Sequence, residues 1–284
     1  MVDGLQNKKI AFIIQARMQS TRLPGKILLP MPLGSDFCLL DQIIISLKSS
    51  KRDASIYIAT SENVENDVLE KTAIVNEVNY FRGSENDVLS RFISIIEQNF
   101  IDIVVRLTAD NPVVDVSLLD ETIDFHIKNK KDYTNTVGLP LGMNFEVIDA
   151  NALLSLKNKN LTSQDKEHVT LYLKNSSEFT CESFKIGLQD KYNNVRVTID
   201  YPSDYLVVSS LFSLYLMTKI PLGLRMIEYV VDRFPFLFEC NQSNIQKDNC
   251  KTLEEEIDVA IPILEKLELT RLVNVFKSKI HEGI

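Results

Sequence analysis

The stretch Gln15-Ala16-Arg17-Met18-Gln19-Ser20-Thr21-Arg22-Leu23-Pro24-Gly25-Lys26 follows an apolar run, Ile10–Ile14, and carries three cations, two hydroxyls and a glycine. From Gly4 to Ser35 there is no acidic residue, yet Lys8, Lys9, Arg17, Arg22 and Lys26 all fall there. Guanidinium forks and an ammonium neutralise phosphate charge, and backbone amides beside a glycine donate to its oxygens, so the loop suits a triphosphate. A solvated basic loop is the competing reading. Three cations around Pro24-Gly25, behind a buried strand, favour the anion site.

Two further segments carry carboxylates. Arg106-Leu107-Thr108-Ala109-Asp110-Asn111-Pro112 and Val195-x-Val197-x-Ile199-Asp200-Tyr201-Pro202 each end an apolar run in an aspartate. Singly, each aspartate is an ordinary turn-former. Brought together at one sheet edge, the pair can hold a magnesium ion against phosphate oxygens. Arg82-Gly83-Ser84-Glu85-Asn86-Asp87 precedes a helical pattern, Val88, Leu89, Phe92 and Ile96, and Ser84 is the expected cap. A helix start approached through Gly83-Ser84 offers amides and a hydroxyl to a flat base edge; a capped surface helix is the bland alternative.

The elements that must position these groups alternate. Strands are expected at Ile10–Gln15, Ser55–Thr60, Val78–Phe81, Asp102–Thr108, Asp132–Thr136, Asn144–Asp149, Thr180–Ile186 and Val195–Asp200. Helices are expected over Phe37–Leu47, Glu62–Glu77, from Ser84, from a Ser117 cap to Asn129, Ala150–Lys157, Ser163–Asn175 and Ser203–Met217. Alternation of this kind predicts an α/β fold with a mainly parallel sheet and helices on both faces. Pro221 and Gly223 punctuate the end of this unit, giving a domain over residues 1–218 and a helical extension over 219–284 that begins a helix at Thr252-x-x-Glu255.

With 31 basic against 39 acidic residues the net charge is −8, which disfavours nucleic acid and anionic membranes as partners. Cys38, Cys181, Cys240 and Cys250 are scattered, and three histidines are too few for a zinc cluster, so free thiols are expected. The Ile10–Ile14 run is too short for a signal peptide, and Leu206–Met217 is too short to span a bilayer. A soluble cytoplasmic protein is the expectation.

Arg17-x-x-Ser20-x-Arg22-Leu23-Pro24-Gly25-Lys26 resembles the nucleotide signature of the cytidylyltransferases that activate nulosonic acids, the CMP-KDO and CMP-sialate synthetases, and its extended form from Ile14 resembles the SpsF-like branch. The resemblance covers residues 8 to about 217. It implies a Rossmann-like nucleotidyltransferase fold and transfer of CMP from CTP to an acidic sugar or sugar phosphate, with Mg2+ on Asp110 and Asp200. Nucleotide contacts would come from Ala16, Arg17, Ser20, Arg22, Gly25 and Lys26, with Gly83, Ser84 and Asp87 bordering cytosine and ribose. Arg17, Lys26, Arg106 and Asp110 would form the catalytic set. Gly142-Met143-Asn144-Phe145-Glu146-Val147 resembles an acceptor block with Asn144 in place of an acid, and Glu167-His168-Val169-Thr170 a second; Asn144, Glu146 and His168 are the acceptor candidates. The family commonly has glycine at Ala109 and an acid or cysteine at Asn111. It also implies a homodimer through Lys131–Val147. A metal-dependent glycosyltransferase would want D-x-D where Asp110-Asn111-Pro112 stands, and a non-catalytic nucleotide-binding homologue would not need an intact R-x-x-S-x-R-L-P-G-K loop.

Overall fold

Every residue of β1 (Ile10–Gln15) except its last is buried, because both faces of the strand are covered. A computed structural model describes residues 8–245 and 252–282. Around β1 stand β2 (Ala54–Ser61), β3 (Asn79–Gly83), β4 (Ile103–Thr108), β5 (Tyr133–Val137), β6 (Glu146–Asp149) and β7 (Cys181–Lys185). Their order in the sheet is β3-β2-β1-β4-β6-β5-β7, with β6 antiparallel to β4 and β5 and every other pairing parallel. The chain steps outward from β1 to β3, then returns to place β4 on the other side of β1. That reversal opens a crevice beyond the carboxyl ends of β1 and β4, where Gln15 pairs with Thr108.

Alternation along β1 divides the core. Phe12 and Ile14 pack with helices Leu39–Lys48, Val116–Asn129, Pro202–Thr218 and Leu224–Arg233, whereas Ala11 and Ile13 pack with Val88–Asn99, Ala150–Ser155 and Leu171–Asn175. Helices on both faces of a mixed, mainly parallel sheet are the expected architecture. No helix among the described residues is long and apolar enough to cross a membrane.

Several local expectations are corrected. Val195–Asp200 is not a strand: apart from an isolated bridge between Leu141 and Arg196, it runs outside the sheet. Asp87, rather than Ser84, caps the helix after β3 by accepting from Ser90 N, and Asp115, rather than Ser117, caps the next one through Leu118 N. A carboxylate at the cap wins because it also meets the positive end of the helix dipole. The Ser163–Asn175 helix is two, Ser163–His168 and Leu171–Asn175, interrupted where Val169 takes φ 59°. Glu62–Glu77 shortens to Asp67–Val75 behind a single tight turn at Val64–Asn66.

The chain divides into compact units at Met1–Gln242 and Ser243–Ile284. The division lies beyond the Lys219 region because Met226, Ile227, Val230 and Phe238 join the main core. The second unit contains helices Leu253–Lys266, capped by Thr252 through Glu255 N, and Thr270–Glu282. Cys38, Cys181 and Cys240 are free thiols; Cys250 lies outside the described residues.

Candidate active site

The loop after β1 is closed on itself. Ala16 N donates to Ala59 O at 3.1 Å, Met18 N to the buried Asn66 Oδ1 at 2.8 Å, and Gly25 N to Met18 O at 3.2 Å. Gly25 sits at φ 66°, a conformation a side chain would strain. Ser20 Oγ accepts from Leu23 N within the same loop. The closure turns Lys26 inward, and its ammonium donates to Ile199 O at 2.6 Å, Asp200 Oδ1 at 3.0 Å and Asp110 Oδ2 at 3.1 Å. All three of its donors are used.

Residues 84 apart and 174 apart from Lys26 thus meet on one nitrogen. Ile199 N donates to Asp110 O at 2.9 Å, which locks the two aspartate segments together. Arg22 reaches Asp200 Oδ1 at 2.7 Å and lies over the Tyr201 ring, while Arg196 holds Asp200 Oδ2 at 2.7 Å. Burial pushes the Asp200 carboxyl upward, but Lys26, Arg22 and Arg196 outweigh it and hold it below its usual range. Among the described residues no three His, Cys, Asp or Glu side chains form a metal cage. Two carboxylates converging on one cationic point nevertheless fit magnesium, which takes one or two carboxylates and completes its shell from phosphates and water.

At the end of β3, Ser84 O and Glu85 O accept from Arg91 Nε at 2.8 Å and from its NH2 at 3.0 Å. Arg91 is 2% exposed, and burial lowers its pKa. Ser84 Oγ accepts from Asp87 N, so the Gly83–Asp87 turn is fixed from both sides. Glu85 meets Arg17 NH1 at 3.5 Å, linking this turn to the loop after β1.

Arg106 and Glu146 are register partners on β4 and β6, 2.5 Å apart. Arg106 also donates to Gln15 Oε1 at 3.0 Å, at the root of the loop after β1. Glu146 Oε1 accepts from Tyr133 at 2.7 Å, Thr170 at 3.1 Å and Lys174 at 2.5 Å. Burial works against the Glu146 charge, yet Arg106 and Lys174 hold its pKa down at about 2. This network forms one wall of a cavity of about 430 Å³, whose other polar lining includes Thr108, Asn111, Asn135 and Asn144. His168 lies outside that lining, at the end of its short helix. The positive φ of Val169 then turns Thr170 onto Glu146.

Two clusters therefore form. One joins Arg22, Lys26, Asp110 and Asp200; the other joins Arg106 and Glu146, with Asn144 on the same cavity. Sequence reasoning gave no role to Asn66, Arg91, Arg196, Thr170 and Lys174, although Thr170 ends the second acceptor-like block. Arg91 had a signal, since it falls on the apolar face set by Val88, Phe92 and Ile95. Asn66 and Lys174 stand among ordinary surface residues in the sequence and had none.

The sequence profile of the family described as Cytidylyltransferase matches residues 11–231. The chain belongs to the cytidylyltransferase family. It is 40% identical over 209 residues to the spore coat polysaccharide biosynthesis protein SpsF of Bacillus subtilis, covering 72% of this chain and 86% of that protein. A cytidylyltransferase from Leptospira borgpetersenii superposes with a TM-score of 0.75 at 29% identity, covering 86% of this chain and all of the other. A CMP:2-keto-3-deoxy-manno-octonic acid synthetase complexed with CTP shares the fold, with a TM-score of 0.55 at 12% identity over 72% of this chain and 99% of the other. As a family member this cytidylyltransferase is a nucleotidyltransferase enzyme.

Proposed function

We propose that this cytidylyltransferase transfers CMP from CTP to an acidic sugar or sugar phosphate, with release of pyrophosphate, in surface polysaccharide biosynthesis. The observation that carries the reading is the convergence of Lys26, Asp110 and Asp200 at the carboxyl ends of β1 and β4. A cavity walled by Arg106 and Glu146 opens at the same edge of β4. Its similarity to a polysaccharide biosynthesis protein supports the pathway.

In this reading Arg17, Arg22 and Lys26 neutralise the triphosphate, Ser20 lies along it, and Ala16 and Gly25, whose amides are bonded to Ala59 O and Met18 O, shape the loop that receives it. Gly83, Ser84 and Asp87 border the base and ribose. Asp110 and Asp200 hold magnesium, which supplies charge neutralisation at the transferring phosphorus. Arg106 faces the acceptor or the charge that develops on it, and Asn144 and Glu146 line the acceptor side. His168, outside the cavity lining, stands on the acceptor side in this reading through Thr170, two residues on, which bonds Glu146. Positioning and electrostatics provide most of the rate, because in-line attack on the α-phosphorus needs no covalent intermediate. The reading also includes a cytoplasmic homodimer, with Lys131–Val147 at the interface.

A pyrophosphate-release screen of acid sugars and sugar phosphates with CTP, UTP, GTP and ATP tests it. Turnover confined to CTP with an acidic acceptor is expected. Preference for another nucleotide, or reaction only with a nucleotide-sugar, overturns it.

A further inference from the structure

We infer that Asn241 is a positioning residue for the nucleotide site, through which the chain beyond the matched family segment holds Asp200 in place. The inference rests on the proposed metal-dependent use of CTP, and Asn241 lies past residue 231, where the family match ends.

The need for such a residue follows from the missing strand. Asp200 belongs to a segment outside the sheet, so no continuous ladder of backbone bonds fixes it. Its hold comes from separate anchors. Val197 N and Thr198 N donate to Leu141 O at 2.8 and 3.1 Å, and Gly142 lets that turn approach, since a Cβ there would lie 2.5 Å from Thr198 N. Ile199 N is bonded to Asp110 O. A further anchor is Asp204, fully buried in the first turn of helix Pro202–Thr218, whose Oδ2 accepts from Asp200 N and Tyr201 N, both at 2.9 Å.

Asp204 also shares Arg196 with Asp200. The guanidinium donates through Nε to Asp204 Oδ1 at 3.0 Å and through its NH2 to Asp200 Oδ2 at 2.7 Å. Asn241, itself 0% exposed, closes this arrangement: its Nδ2 donates to Asp204 Oδ1 at 2.9 Å and to Arg196 O at 3.0 Å. One amide therefore joins the carboxylate that caps Asp200 to the backbone of the arginine that aims it. Losing that donor costs Asp204 one partner in a buried site and frees Arg196 to shift. The consequence reaches Asp200 through Oδ2; Arg22 remains paired with Oδ1 of the same carboxylate, and Arg17 with Glu85.

Calorimetric titration of the full chain with CTP, with Mn2+ present and with chelator, tests the inference. In Asn241→Leu the Kd for CTP with Mn2+ is expected to rise about tenfold, while the metal-free Kd stays within about twofold. Arg196→Lys, which keeps the charge but loses the fork between the two aspartates, is expected to give the same split should Asn241→Leu fail to fold. Unchanged metal-dependent binding in the variants, or an equal loss with and without metal, overturns the positioning role. A wild-type chain that binds CTP no better with Mn2+ overturns the metal-dependent reading itself, and the inference with it.

Discussion

On the proposed nucleotide side Asp200 is met by Lys26, Arg22 and Arg196; on the proposed acceptor side Glu146 is met by Arg106, Lys174 and the hydroxyls of Tyr133 and Thr170. Both centres are buried carboxylates kept ionised, but their surroundings serve different ends. The first is met by three cations, two of them from one loop, and beside it stands a second carboxylate, Asp110. The second mixes cations with hydroxyls and opens onto Asn111, Asn135 and Asn144, whose neutral amides donate and accept. Under the proposed function the difference assigns one half of the site to gripping charge and the other to reading the hydroxyls and outline of its ligand.

The strongest way to break that contrast is Asp110→Asn. The Asp110 side chain is 31% exposed and bonds to Lys26, so the variant is expected to fold and unfold like the wild type. Pyrophosphate release from CTP is expected to fall about 100-fold or more, the scale of losing a group that acts on transition-state charge. Normal turnover would show that the metal assignment is wrong and that the aspartate serves only Lys26.

Glu146→Gln probes the other half, and its largest effect is on stability. The Glu146 side chain is 13% exposed, and the variant leaves Arg106 and Lys174 without their shared carboxylate. Breaking such a buried arrangement costs about 3–5 kcal/mol. The pH dependence has a fixed sign. A carboxyl held at about 2 against an ordinary 4.5 binds fewer protons folded than unfolded, so its contribution is complete above about pH 4.5 and is lost as pH falls towards 2. Wild-type stability is expected to drop by about 3 kcal/mol across that window from this group. Chemical denaturation at several pH values should find this part of the slope missing in Glu146→Gln; an unchanged slope would remove Glu146 as the charge centre of the acceptor side.

How far each half can be read from sequence follows the same contrast. The proposed nucleotide loop is contiguous, so Arg17, Arg22, Gly25 and Lys26 announce themselves by spacing, and the five buried residues Ile10–Ile14 before them place the loop at a sheet edge. The parallel alternation and both aspartates are legible for the same reason. The proposed acceptor wall draws Arg106, Tyr133, Glu146 and the Thr170–Lys174 pair from four segments, and only tertiary packing brings them to one carboxylate. Val195–Asp200 misleads because its alternating apolar residues satisfy a strand pattern while burying Val197 and Ile199 against helices from outside the sheet. Pattern reports which side chains are buried, not whether a neighbouring strand supplies the backbone bonds.

Arg17→Ala gives the smallest expected effect and sharpens the contrast most. The Arg17 side chain is 52% exposed and its ion pair with Glu85 spans 3.5 Å, so the pair adds little to stability. Thermal unfolding is expected to stay close to the wild type. If the loop acts chiefly by gripping charge, the KM for CTP rises several-fold, more at low salt than at high salt, while kcat changes less. Loss of kcat with KM unchanged would instead mean that Arg17 meets charge only as it develops, and the nucleotide side would then be a catalytic surface along its whole loop rather than only at Lys26, Asp110 and Asp200.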